Sequence, residues 1–391
     1  MSETEALLLM VCFLLAHAAA DLNEEMRDFL RDVNPPFVTN HTLSNGDIIL
    51  CVPIKNQLSL RNQTLQLLPP QMMSKQEHNR SENSGQLFGL EVGSCKENTI
   101  PVLHTSNTIA ARFDSVRKLT KKHSSGKNRV PLADEEPGVE THEHGYNQLN
   151  GNFRGMETTI NVWEPYVEKT SEFSLAQLWI ISKKLGPLNT IEAGWQIYPK
   201  FYGGTGPRLF VYWTADGYDK TGCYNLRCQG FVQTSNKYVL GGSFSSVSTP
   251  DSTQYEKTLR VFQDDSSKNW WLQIDGESIG YWPASLFQSL QNGAETLEAG
   301  GEVCYDKESG VRHTKTGMGS GEFPSQGYLK AAYQRRIQYL DSNGVMQPAI
   351  GMKSGAEVPK CYTATSVAAD KGDDWGAYFF FGGPGYSNKC P

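Results

Sequence analysis

Thr190-Ile191-Glu192-Ala193-Gly194-Trp195-Gln196-Ile197-Tyr198-Pro199 alternates at the period of two residues that an extended strand imposes. Ile191, Ala193, Trp195 and Ile197 fall on one face, which reads as core; Glu192, Gly194, Gln196 and Tyr198 fall on the other. The second face holds one acid, a glycine that leaves room beside it and two hydrogen-bonding side chains, which is the composition of a groove floor. Ala299-Gly300-Gly301-Glu302-Val303-Cys304-Tyr305 repeats the arrangement, with Glu302 sharing a face with Gly300 and Cys304. Two strands that each carry a carboxylate beside a glycine make Glu192 and Glu302 the candidate centre of the chemistry.

Outward from these strands, short runs rich in Val, Ile, Phe, Tyr and Trp recur at 159–162, 177–181, 209–213, 231–234, 255–262 and 270–274, bounded by turn residues. Asp275-Gly276 between 270–274 and 279–282 is a hairpin signal, because the turn requires positive φ that glycine adopts at little cost. Asp264 to Asn269 reads as a longer hairpin loop, and 283–290 as one short helix. So many strands without crossover helices predict an all-β, antiparallel β-sandwich of two packed sheets, lectin-like, with one concave face as the groove.

The 391-residue chain has 38% apolar residues, 37 glycines and 8 tryptophans, the profile of a folded, turn-rich protein. A net charge of −6 gives no electrostatic reason to expect a nucleic-acid partner. Residues 6–16 form an apolar run of signal-peptide length, followed by Ala18-Ala19-Ala20, so 1–20 reads as a secretory signal and the mature chain as having no membrane span. Secreted, extracellular residence in the apoplast or cell wall, or in the vacuole, is the expectation. Acids and apolar residues at helical spacing from Asp21 to Val33 precede the stop Asn34-Pro35-Pro36, and residues 47–54 read as a strand. Sequons at Asn40, Asn62 and Asn79 are confined to this first third. Residues 112–137 carry Arg117, Lys118, Lys121, Lys122, Lys127 and Arg129 and then a run of acids, an exposed linker by composition.

Negative evidence narrows the chemistry. No Gly-x-Ser-x-Gly elbow, His-Glu-x-x-His, paired Cys-x-x-Cys or phosphate-binding glycine loop occurs. His142-Glu143-His144 would place two imidazoles on one strand face, but no further ligand cluster follows it in the sequence, so it reads as a polar strand entry; no metal and no cofactor are expected. With Cys12 in the signal, seven cysteines remain, and three pairs with one free thiol is the simplest count in an oxidising compartment.

The two glutamate runs, read with Ser174-Leu175-Ala176-Gln177-Leu178-Trp179-Ile180 and Gly327-Tyr328-Leu329-Lys330-Ala331-Ala332-Tyr333, resemble the neprosin family of secreted plant glutamic peptidases. The resemblance implies that Glu192 and Glu302 carry catalysis, that cleavage falls on the carboxyl side of proline at acid pH without cofactor, and that residues 138–391 are the catalytic domain. By the same resemblance residues 21–137 match a small α+β activation peptide, the chain's own intramolecular inhibitor, and Cys223 pairs with Cys228 and Cys361 with Cys390. Proximity leaves Cys51 for Cys95, with Cys304 the free thiol. Gln177, Trp179, Gln196 and Tyr198 are candidate partners of a proline-containing peptide substrate.

Two carboxyls held close in a partly dry groove cannot both ionise easily, so the pair offers a base and an acid together. The same pair in an aromatic-lined groove would suit a glycoside hydrolase, with Trp163, Trp179, Trp195, Trp213, Trp270, Trp271 and Trp282 able to stack sugars. A third reading is a cell-wall carbohydrate- or peptide-binding protein without turnover. A covering N-terminal third favours the peptidase, since only a groove that attacks proteins needs a cover.

Overall fold

The long strand β5 (Val139–Asn161) is the seam of the molecule in this computed structural model, which describes residues 22–61, 64–66, 82–83, 85–122, 139–307, 311–369 and 375–391. The signal segment, Asn62, Asn79 and residues 123–137 of the expected linker lie outside the described residues. The first half of β5 pairs antiparallel with β14 (Ala294–Lys307), and its second half with β11 (Tyr255–Gln263). From β14 the sheet continues through β6 (Phe173–Ser182), β7 (Asn189–Ile197), β8 (Arg208–Thr214) and β9 (Cys223–Tyr224). From β11 it continues through β12 (Trp270–Ile274), β13 (Glu277–Trp282) and β10 (Val232–Gln233). The other edge of β5 takes β15 (Ala332–Asp341) and β17 (Lys353–Ala356); β16 (Met346–Pro348) and β19 (Phe379–Gly382) join β15, and β18 (Thr363–Ala364) joins β19.

The two packed layers of the expected sandwich are therefore one 16-stranded, almost wholly antiparallel sheet, curled on itself along β5. Between the layers, Ile191, Ala193, Trp195 and Ile197 of β7 meet Leu259, Val261, Leu272, Phe379 and Phe381 in one core. Each fully buried aliphatic chain there contributes roughly 1.5–3 kcal/mol. Asp275 and Gly276, with φ of 49° and 78°, make the two-residue turn joining β12 to β13. Residues 283–290 are not one helix: short 3-10 turns, Ala284–Leu286 and Ser289–Asn292, flank Phe287, whose extended backbone sinks its ring into the core.

The N-terminal third builds its own three-stranded sheet from β1 (Thr39–Thr42), β2 (Ile48–Pro53) and β4 (Thr99–Leu103), with β3 (Glu82–Asn83) pairing on β11. Cys51–Cys95 ties this part, and Cys223–Cys228 and Cys361–Cys390 tie the large sheet, leaving Cys304 as a buried free thiol. Asn40 is exposed on the edge strand β1. Helix α1 (Glu24–Val33) starts at Asn23, whose side-chain oxygen accepts from the Met26 amide at 2.8 Å. Its buried stripe of Met26, Phe29, Leu30 and Val33 follows helical spacing. With Ala110 from α3 (Asn107–Ala110), Phe113 and Leu119 from α4 (Val116–Thr120), it packs onto Phe173, Leu175, Trp179, Phe210 and Tyr212; the intervening helix α2 (Leu87–Glu91) packs elsewhere, on β2. That packing explains why β7 is buried along its whole length, on the groove face as well as the core face.

Candidate active site

Three neighbouring strands set the site. Register places Gln177 of β6 between Gly194 of β7 and Gly300 of β14, with Glu192 two residues before Gly194 and Glu302 two residues after Gly300. A Cβ at Gly194 would stand 2.0 Å from the Ala176 carbonyl oxygen and one at Gly300 2.3 Å from the Gly145 carbonyl oxygen, so both positions exclude any side chain. The Gln177 amide then reaches both acids, donating to Glu192 Oε2 at 3.1 Å and Glu302 Oε2 at 3.4 Å.

Lys122 completes the centre. Its Nζ donates to Glu192 Oε2 at 2.8 Å and to Glu302 Oε2 at 2.6 Å. This corrects the expectation that residues 112–137 are exposed throughout: the Lys122 side chain is 5% exposed. An ammonium tolerates that burial only because two carboxylates replace its water. Helix α4, begun by the Ser115 hydroxyl accepting from the Lys118 amide, delivers the lysine two residues beyond its end.

Around Glu302, β5 supplies two imidazoles from the same face, His142 and His144. His142 Nδ1 lies 2.6 Å from Glu302 Oε1, and His144 Nε2 3.6 Å from Glu302 Oε2, with Glu357 Oε1 3.3 Å from His144 Nδ1. Burial alone would raise the Glu302 carboxyl, but Lys122, His144 and His142 overcome it and hold it well below the usual carboxylate range. Burial likewise opposes the charge on His144, yet Glu302 and Glu357 push its pKa up to about 9. Around Glu192 the partners are neutral. The Tyr218 hydroxyl donates to Glu192 Oε1 at 2.7 Å and the Thr190 hydroxyl at 3.1 Å. Tyr218 holds a left-handed φ of 69°, a conformation that costs a bulky residue energy.

The other expected residues sit around this centre without joining it. Trp179, opposite Glu192 on β6, is buried on the groove side and 6.0 Å from the His144 ring. The Gln196 amide donates to the Tyr224 hydroxyl at 3.3 Å, and its oxygen accepts from Tyr202. Tyr198 stacks on Phe201 of α5 (Pro199–Tyr202), with rings 5.6 Å apart. Of the seven tryptophans offered for sugar stacking, all are buried, and Trp179 alone lines the groove side. Lys122, Thr190, Tyr218 and Glu357 were not foreseen; Thr190 was within reach, since it shares a strand face with Glu192.

Residues 170–384, more than half of the chain, match the Neprosin family. The chain belongs to the neprosin family. Both glutamates, Gln177 and the strands that carry them lie inside the matched part of this neprosin chain, while β5 and Lys122 precede it. Among solved structures, the neprosin chain is similar to scytalido-glutamic peptidase with a peptide-based transition-state analogue, at 11% identity and a TM-score of 0.33, over 62% of this chain and 98% of that one. It is also similar to SCP-B, a member of the eqolisin family of peptidases in complex with the tripeptide Ala-Ile-His, at 10% identity and 0.32, over 62% and 98%. Sheep galectin-11 matches at 8% identity and 0.22, over 44% of this chain and 96% of that one.

Proposed function

We propose that this neprosin-family chain is a secreted glutamic endopeptidase, made as a precursor, that cleaves on the carboxyl side of proline at acid pH with Glu192 and Glu302 as its acid–base pair. The observation that carries the reading is that both carboxylates turn the same oxygen, Oε2, toward the shared donors Gln177 Nε2 and Lys122 Nζ. With Lys122 withdrawn, two acids in one dry pocket retain a single proton between them. Glu302, flanked by the imidazoles of His142 and His144, is assigned the base that takes a proton from the attacking water. Glu192, whose other oxygen is held by the hydroxyls of Tyr218 and Thr190, is assigned the acid that protonates the carbonyl oxygen and then the leaving amine. Gln177 holds the two carboxylates at their spacing.

The precursor reading rests on Lys122 and on the apolar stripe of α1, which together occupy the place a substrate backbone would take. Secretion is supported by the three disulfides, which persist in oxidising compartments, and by the signal-like run 6–16. Incubation of the secreted protein at acid pH with a proline-containing peptide, followed by mass spectrometry of the products, tests the proposal. Cuts after proline are expected; an intact peptide, or cuts unaffected by Glu192→Gln, would overturn it.

A further inference from the structure

A second constellation lies beside the acid pair and is used by none of the chemistry above. Register sets His142 of β5 directly opposite Cys304 of β14, and the His142 Nε2 is 3.6 Å from the Cys304 Sγ. Glu140, two residues before His142 on the same strand face, completes a group whose ligand atoms all lie within 4.8 Å of one another. We propose that Cys304, His142 and Glu140 form a binding site for one zinc-class divalent cation, with thiolate, imidazole and carboxylate as its three protein ligands.

The spacing suits that metal. A Zn–S bond of about 2.3 Å and a Zn–N bond of about 2.0–2.1 Å meeting at the tetrahedral angle put sulfur and nitrogen roughly 3.6 Å apart, which is the separation the two side chains already have. The tautomer is set as well: His142 Nδ1 is bound to Glu302 Oε1 at 2.6 Å, which leaves the Nε2 lone pair directed at Cys304. A carboxylate behind a ligating imidazole is the usual outer partner of a zinc-bound histidine. The charges acting on Cys304 also favour a cation, with Glu140, Glu302 and Asp306 against Lys122. His142 and Glu140 are half-exposed, so ions reach the group from solvent, and turning the Glu140 side chain closes the ligand set. Binding releases the Cys304 thiol proton to solvent and leaves the fourth tetrahedral position to water. A soft thiolate with an imidazole excludes calcium and magnesium as the preferred ions. The other such grouping among the described residues, His313 with Cys361 and Cys390, has both sulfurs tied in a disulfide and is no site.

The test uses the metal-free full-length chain titrated with Co²⁺ and then with Zn²⁺, followed by absorption spectroscopy and calorimetry. One equivalent of Co²⁺ should bind with a thiolate-to-metal charge-transfer band that Zn²⁺ abolishes. Cys304→Ser and Cys304→Ala should each lose the band, and His142→Gln and Glu140→Gln should weaken Zn²⁺ binding by at least about tenfold. Each variant's melting temperature is recorded alongside, so that loss of the site is told from loss of the fold. A band that survives in Cys304→Ala, or wild-type Zn²⁺ binding equal to that of the two cysteine variants, would overturn the assignment. The readout is metal binding and not turnover, so its outcome is independent of the peptidase reading.

Discussion

Lys122 Nζ stands 2.6 Å from Glu302 Oε2, although 180 residues separate them in the chain. The lysine comes from the N-terminal part and the glutamate from the region that matches the family, so this contact joins the cover to the candidate chemistry. Lys122→Met removes the ammonium and leaves two buried carboxylates facing each other. The full-length variant should unfold at a lower temperature, by an amount corresponding to roughly 3–5 kcal/mol. It should also cut a proline-containing peptide without prior processing; a silent, equally stable variant would show that Lys122 does not hold the groove shut.

Glu192→Gln and Glu302→Gln keep side-chain shape and delete a protonation state. Each should lower turnover of the processed enzyme by about 10²–10⁴-fold, the range for loss of an acid or base. In the full-length chain Glu302→Gln should cost stability as well, because it takes an acceptor from Lys122 and a counter-charge from His144. Circular dichroism and steady-state rates on the same preparations separate the two effects.

The pH dependence of full-length stability has two edges. His144 has a folded pKa raised to about 9, so its stabilisation is complete below the unfolded value of about 6.5 and fades as pH rises through 9. Glu302 is depressed, so its contribution is present above the unfolded value of about 4.3 and is lost only as pH falls through a folded pKa well below that. Melting temperature against pH should form a plateau between these limits. Release of Lys122, and with it conversion to a shorter species, should need a pH well under 4.3. Conversion that is complete at pH 6 would mean that another group triggers it.

Gly194→Ala and Gly300→Ala probe the strand packing that brings Gln177 to both acids. Each added methyl meets backbone and not a flexible side chain end. A loss of roughly 1–3 kcal/mol each, typical of overpacking, is expected from denaturant melts. A neutral Gly194→Ala would show that β6 and β7 can separate without cost.

The placement of the acid pair was legible because strand alternation is local: Glu192 with Gly194, and Glu302 with Gly300, read at a period of two. The hairpin at Asp275-Gly276 was legible for the same reason. β5 was recognised only at its end, around 159–162, because its site-facing half carries His142, His144 and other polar residues that mask any apolar period. His142 was judged to lack metal-ligating neighbours since Cys304 lies 162 residues away, and only the β5–β14 register brings it opposite. Lys122 was hidden by its surroundings, a basic stretch whose composition says solvent. The reason for its burial lies 70 and 180 residues downstream.

The N-terminal third does more than rest on the large sheet. Val102 bridges to Leu240 and Gln86 to Phe244, the Cys95 amide donates to the Asn236 carbonyl, and the Gln57 side chain accepts from the Gln233 amide at 2.8 Å. Such stitching forms while both parts are still folding, so the segment behaves as a mould against which the strands of the groove set. A mould discarded by proteolysis is not recovered: the processed enzyme keeps its shape through a slow unfolding rate and not through an equilibrium it can re-establish. Once denatured, it is expected to stay so, which makes a single cut in the chain an irreversible commitment to a finite working life.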